Sequence, residues 1–176
     1  MMVYLLILIN LIVFYLVRTG KLEGDDLAVS YHQVFNRKEY QRILTSAFTH
    51  VDPLHLVCNM LSLYNVGPAV QSIYGKSGFL LLYFGSLLLG RLMALQIRHN
   101  RHDDYSLSLG ASGAICGLIG AYLLFVARYY GMDGLLSMSR SLISLAIMSV
   151  LPGVDGTSHV CCLSMGMAIA FVLLLF

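Results

Sequence analysis

Two side chains of this chain are suited to nucleophilic chemistry by type and place. Gly110-Ala111-Ser112-Gly113 sets a serine between glycines, and His159 is the one histidine of the last third. A serine hydroxyl is a weak nucleophile until an adjacent base takes its proton. Neutral imidazole is the usual base for it. Each residue stands at the mouth of an apolar run. Ser112 begins a helix there, and its backbone N–H then has no intrahelical partner and can face an oxyanion. Read alone, the motif also suits a helix cap with close-packing glycines. His159 alone suits an interfacial histidine bonded to water or headgroups.

A second polar pair comes earlier. His55 and Asn59 are four residues apart, hence on one helical face. Aimed at Ser112, an imidazole and an amide would complete an oxyanion hole. Aimed elsewhere, they would bond neighbouring helices. His50 lies just before that helix, at the same membrane surface.

The elements that must position these groups are membrane spans. The chain of 176 residues is 58% hydrophobic and 11% charged, and a soluble domain carries about twice that charge. Its polar residues cluster between apolar runs of roughly 17–22 residues, the length that crosses a bilayer core. The reading is an integral multi-pass membrane protein, all-α, with residues 1–176 as a single domain. Its six spans are expected at about 1–17, 53–73, 78–97, 112–130, 135–151 and 159–176.

Met1 to Val17 lacks the early positive charge of a signal peptide, so a retained first span is expected. Asp52-Pro53 is a cap followed by proline at the first helical position. Pro68 is expected to kink or loosen span two. Gly131 to Gly134 reads as a tight turn, Pro152-Gly153 stops span five, and 153–158 reads as a turn. Arg91 and Arg140 fall within spans three and five, close enough to span ends for snorkelling, and are expected to snorkel or to pair inside the bundle. No basic run or aromatic ladder points to nucleic acid. Cys58, Cys116, Cys161 and Cys162 all sit in apolar runs and read as small apolar fillers.

Span four carries Gly113, Gly117, Gly120 and Ala121 on one face, and span six carries Cys162, Gly166 and Ala170. Small residues at this spacing let helix backbones approach closely in lipid. If the two faces meet, Ser112 and His159 come side by side.

The ordered set His50-Val51-Asp52-Pro53-Leu54-His55-Leu56-Val57-Cys58-Asn59, then Gly110-Ala111-Ser112-Gly113, then His159 with Gly166 seven residues on, resembles the rhomboid intramembrane serine proteases. The likeness covers about residues 40–170. It implies a six-helix rhomboid-like bundle, no cofactor, and a Ser–His dyad that cleaves transmembrane segments of single-span membrane proteins within the lipid bilayer. It implies Ser112 as nucleophile, His159 as general base, and His55, Asn59 and the Ser112 N–H as oxyanion donors, with Gly110 lining the site. It also implies a gate at span five and the loop after it, and a non-cytoplasmic active-site face. The loop charges imply the reverse face. Arg18, Lys21, Arg37, Lys38, Arg42, Arg98 and Arg101 lie on the active-site side, against Lys76 and Arg128 on the other.

The chain departs from the family pattern in places. Gln41 precedes Arg42 where the family often has tryptophan, and Gln71 stands where some bacterial members have glutamate. Cys116 stands where an aromatic often supports the histidine, and Cys161 and Cys162 replace glycine or alanine. Cys162 is larger than glycine, so spans four and six are expected to sit slightly apart. The alternative function is a catalytically impaired rhomboid-like adaptor that binds membrane-protein clients. A metal site of His55, Cys58, His159 and Cys162 is a more distant rival. A transporter is more distant still, since there is no inverted repeat or polar path at the midplane.

Overall fold

In lipid, every backbone N–H and C=O must find a partner within the protein, and a helix supplies them all internally. The apolar runs accordingly fold as helices. The structure is a computed structural model and describes residues 2–137 and 155–175. It contains α1 (Met2–Arg18), α2 (Gly24–Leu27), α3 (Arg42–Thr45), α4 (Pro53–Asn100), α5 (Ser112–Ser137) and α6 (Gly156–Leu173). A π-helical turn at His32–Asn36 and a 3-10 turn at Ser46–Phe48 flank α3. Among the described residues the only extended pairing is one antiparallel bridge, Val29 to Ser108. The architecture is an all-α membrane protein. Helices α4, α5 and α6 are long and apolar enough to cross a membrane, and α1 is a shorter apolar helix.

α4 has 48 residues, about 72 Å if straight at 1.5 Å per residue, over twice a bilayer core of roughly 30 Å. It breaks at Gly75, whose φ of 70° is a left-handed value that glycine adopts without a Cβ clash. The two limbs return to one end of the molecule. His55 and Asn59 on the first, and Arg91 on the second, all reach Gly110.

The core forms where the limbs of α4 meet α5 and α6, around Leu63, Phe79, Tyr83, Leu87, Leu118 and Ala170. The two small-residue faces do meet. A Cβ on Gly166 would fall into the backbone of Gly117, and one on Gly120 would strike the Leu163 carbonyl. The long first loop is folded rather than loose. Val29, Val34 and Ile43 pack on Leu95 of the second α4 limb. Arg42 holds that loop from within, donating to the Asp25 carbonyl at 2.8 Å and the Ala28 carbonyl at 3.1 Å while pairing with Glu39.

Several expectations need correcting. At Pro68, where one backbone donor is missing, the helix keeps helical dihedrals, and it departs from them only at Gly75. Tertiary packing explains this: Gly67 lies against Val3, and Leu63 and Val70 on either side are fully buried. The turn expected over 131–134 is a single-residue break at Gly131 (φ 61°), and helix resumes through Ser137. α6 starts at Gly156, because the Asp155 carboxylate accepts the Ser158 N–H at 3.0 Å and caps it. Of the two outcomes expected for Arg91, the structure shows the inward one: the residue is 2% exposed and bonded inside the bundle. Cys162 does not hold α6 off, because its sulfur fits between glycines. A Cβ on Gly90 would come within 2.7 Å of that sulfur, and one on Gly113 within 3.2 Å. Most of expected span five, with Arg140, Pro152 and Gly153, lies outside the described residues.

Candidate active site

Ser112 is the first residue of α5, and His159 lies in the first turn of α6. Because the glycine faces of these helices touch, their starts come together. His159 Nε2 stands 2.8 Å from Ser112 Oγ. His159 Nδ1 is buried with no hydrogen-bond partner among the described residues. Among the described residues the contact is therefore a pair, with no carboxylate bonded behind the imidazole.

His55 and Asn59 face the same place from the first limb of α4. A Cβ built on Gly110 would come 3.0 Å from His55 Nε2 and 3.7 Å from Asn59 Nδ2. Gly110 also has a φ of 103°. Both facts require glycine here, and its bare Cα is what leaves room for the imidazole. The Gly110 N–H is committed to the Ser46 carbonyl at 2.8 Å. Asn59 donates one amide hydrogen to the His55 carbonyl at 3.1 Å, which orients its side chain and leaves the second donor over. Asp52 caps this helix by accepting the His55 N–H at 2.9 Å.

His50, which opens the motif that runs to Asn59, gains contacts of its own in the structure. It is 3% exposed, its ring edge meets His55, and its Nε2 accepts the Ala111 N–H at 3.5 Å. Burial, with the His55 ring beside it, pushes its pKa down to about 4. An unfolded histidine takes its proton near 6.5. Between these values the unfolded chain binds more protons, so stability falls as pH drops through that window. The expected result is full stability above about pH 6.5 and a loss of ~3 kcal/mol by about pH 4. Thermal unfolding in detergent across this range, wild type against His50→Gln, measures it. The variant should lack that share of the slope.

Sequence reasoning missed Asp155. An acidic residue three before Ser158 is a helix-start signal and could have been found. Its carboxylate caps α6, pairs with Arg98 at 2.5 Å and accepts the Ser108 hydroxyl. Ser108 is in turn bridged to Val29. One carboxylate thus ties the end of α4 and two loops to the helix that carries His159. Both partners are mostly buried, at 12% and 15% exposed. Asp155→Asn keeps the cap and removes the ion pair. It is expected to destabilise by about 1–3 kcal/mol. A double-mutant cycle with Arg98→Gln, followed by thermal unfolding, should return a coupling above about 1 kcal/mol.

His55, Cys58, His159 and Cys162 do not gather as a metal site. Among the described residues no group of three or more His, Cys, Asp or Glu side chains is arranged to hold an ion.

The family model described as the Rhomboid domain matches residues 37–176. The chain is 29% identical over 167 residues to Rhomboid protease GluP of Bacillus subtilis (strain 168), covering 89% of this chain and 32% of that protein. It is 31% identical over 149 residues to RHOMBOID-like protein 4 of Arabidopsis thaliana, covering 81% and 36%. It is 32% identical over 94 residues to Rhomboid-like protease 3 of Toxoplasma gondii, covering 53% and 34%. The chain spans about a third of the length of these curated relatives. With a family model that matches from the first loop through α6, and apolar helices able to cross a bilayer, this chain belongs to the rhomboid family of multi-pass membrane proteins.

Proposed function

We propose that this chain is an intramembrane serine endopeptidase, a six-pass domain over residues 1–176 that cleaves single-span membrane proteins by a Ser112–His159 dyad. The observation that carries the reading is the 2.8 Å contact from His159 Nε2 to Ser112 Oγ at the start of α5. That distance allows direct proton transfer. The names of the relatives, several of them rhomboid proteases, agree with it.

In this mechanism Ser112 Oγ attacks the scissile carbonyl carbon while its proton passes to His159 Nε2. The tetrahedral oxyanion is met by the Ser112 N–H, His55 Nε2 and the spare Asn59 amide hydrogen. Such donors act strongly because they are fixed before charge develops. His159 then gives its proton to the leaving amine, the C–N bond breaks, and an acyl-enzyme remains. Water attacks that ester, with His159 again as base, and frees Ser112. Gly110 serves by leaving space for His55. Water must reach the site from the loop face, since lipid excludes it. A substrate helix must unwind locally to expose its scissile bond, so helix-breaking residues near that bond favour cleavage.

Serine-directed labelling tests the reading. A fluorophosphonate probe is expected to modify the wild type in detergent or proteoliposomes and to leave Ser112→Ala unmodified. Absence of labelling in folded wild-type protein would favour the adaptor reading.

A further inference from the structure

A cation deep in a membrane protein is costly unless it is paired, and it then marks a functional position. Arg91 is such a cation. It sits within the second limb of α4, 2% exposed, and among the described residues no carboxylate pairs with it. Its Nε has no hydrogen-bond partner among them either. Its terminal nitrogens instead donate to the Ser46 hydroxyl, to the Ile43 carbonyl at 3.4 Å and to the Gly110 carbonyl at 3.4 Å. Removing this side chain would leave those buried acceptors without their donor, so its bonds contribute to the fold. Stability alone does not account for where those bonds converge, on the peptide next to Ser112.

The geometry of one peptide bond is a better account. The Gly110 carbonyl is held by Arg91, and the Ala111 N–H of the same peptide unit is held on the other side by His50 Nε2 at 3.5 Å. The preceding N–H, of Gly110, goes to the carbonyl of Ser46, whose hydroxyl Arg91 also holds. Glycine is the residue whose neighbouring peptide planes rotate most freely. A flip of the Gly110–Ala111 plane would turn its carbonyl toward His50 and disturb the dihedrals that aim the Ser112 N–H. We propose that Arg91 is a positioning residue: it locks the Gly110–Ala111 peptide between a buried guanidinium and His50, so that the Ser112 N–H stays aimed at the oxyanion. The proposal rests on the dyad reading above.

The test is Arg91→Met, with Ser46→Ala as the second variant should the first fail to fold. Three quantities are measured on each: kcat and KM on a single-span substrate in proteoliposomes, the rate of fluorophosphonate labelling, and thermal unfolding. Arg91→Met is expected to lower kcat and the labelling rate together by about 10–100-fold. KM should stay within about threefold, and any fall in Tm, from the acceptors left without their donor, should be too small to account for the loss of kcat per folded molecule. Ser46→Ala should lower kcat by about 3–10-fold, because it removes one of the groups that fix the guanidinium. A kcat within about threefold of wild type in Arg91→Met, or a fall that merely follows a falling Tm, overturns the proposal. Wild-type labelling that does not depend on Ser112 overturns the dyad reading and this proposal with it. Ser112-dependent labelling that is unaffected in Arg91→Met overturns this proposal alone.

Discussion

Ser112→Ala is expected to abolish cleavage of a single-span substrate, with a fall of at least about 10³–10⁴-fold in kcat. The substitution removes one oxygen at a half-buried position, so Tm should move little. His159→Ala is expected to have a similar effect, because an unassisted hydroxyl is a weak nucleophile. The two act as a unit across one 2.8 Å contact. The double variant should therefore be no slower than either single one, a strong departure from additivity. Rates in proteoliposomes, corrected for folded protein, provide the measurement. Cleavage that persists in Ser112→Ala at above one tenth of the wild-type rate would exclude Ser112 as the nucleophile.

The second large effect is expected at Gly166. A Cβ there meets the carbonyl oxygen, carbonyl carbon and Cα of Gly117, all of them backbone atoms. Backbone in a helix cannot rotate aside as a side-chain tip can, so α6 must move away from α5. Over-packing of this kind costs about 1–3 kcal/mol for one methyl and more for a branched side chain. His159 lies two turns up the same helix, so the shift also opens its contact with Ser112. Gly166→Ala is expected to lower Tm and to slow fluorophosphonate labelling by more than about tenfold. Gly166→Val is expected to leave little folded protein. Gly85→Ala is the control. Its nearest neighbour is the Cδ1 tip of Ile169 at 3.0 Å, which can rotate, so stability and labelling should stay near wild type. Equal behaviour of Gly166→Ala and Gly85→Ala would show that the α5–α6 contact does not set the site.

The arrangement around Ser112 has a common logic. His55, Ser112 and His159 each lie in the first turn of a helix, and the starts of α4 and α6 are each held by a carboxylate cap. Asp52 caps the helix that carries His55 and Asn59, and Asp155 caps the helix that carries His159. Helix starts offer unpaired N–H groups without breaking the internal pairing that lipid demands. Polar chemistry is therefore concentrated at one end of the bundle, where the loops are.

Much of this was legible in the residues themselves. Span placement depends on local composition, so the apolar runs and the starts at Pro53 and Ser112 could be read directly. Glycine spacing depends on helical period, so the facing stripes of Gly113, Gly117 and Gly166 could be read as well. The order of His55, Asn59, Gly110, Ser112 and His159 pointed to the family before any contact was known. What could not be read is what each face meets. Arg91 is near enough to a span end to snorkel, and only the Ser46 and Gly110 groups packed beside it draw it inward. Cys162 exceeds glycine in size, and only the empty space at Gly90 and Gly113 lets it fit. Pro68 weakens an isolated helix, and in the bundle its neighbours Gly67 and Val70 are buried and the dihedrals there stay helical. Composition and periodicity are properties of one segment and survive in the sequence. Whether a side chain finds a partner, a gap or a wall depends on other segments, and the packed bundle alone decides it.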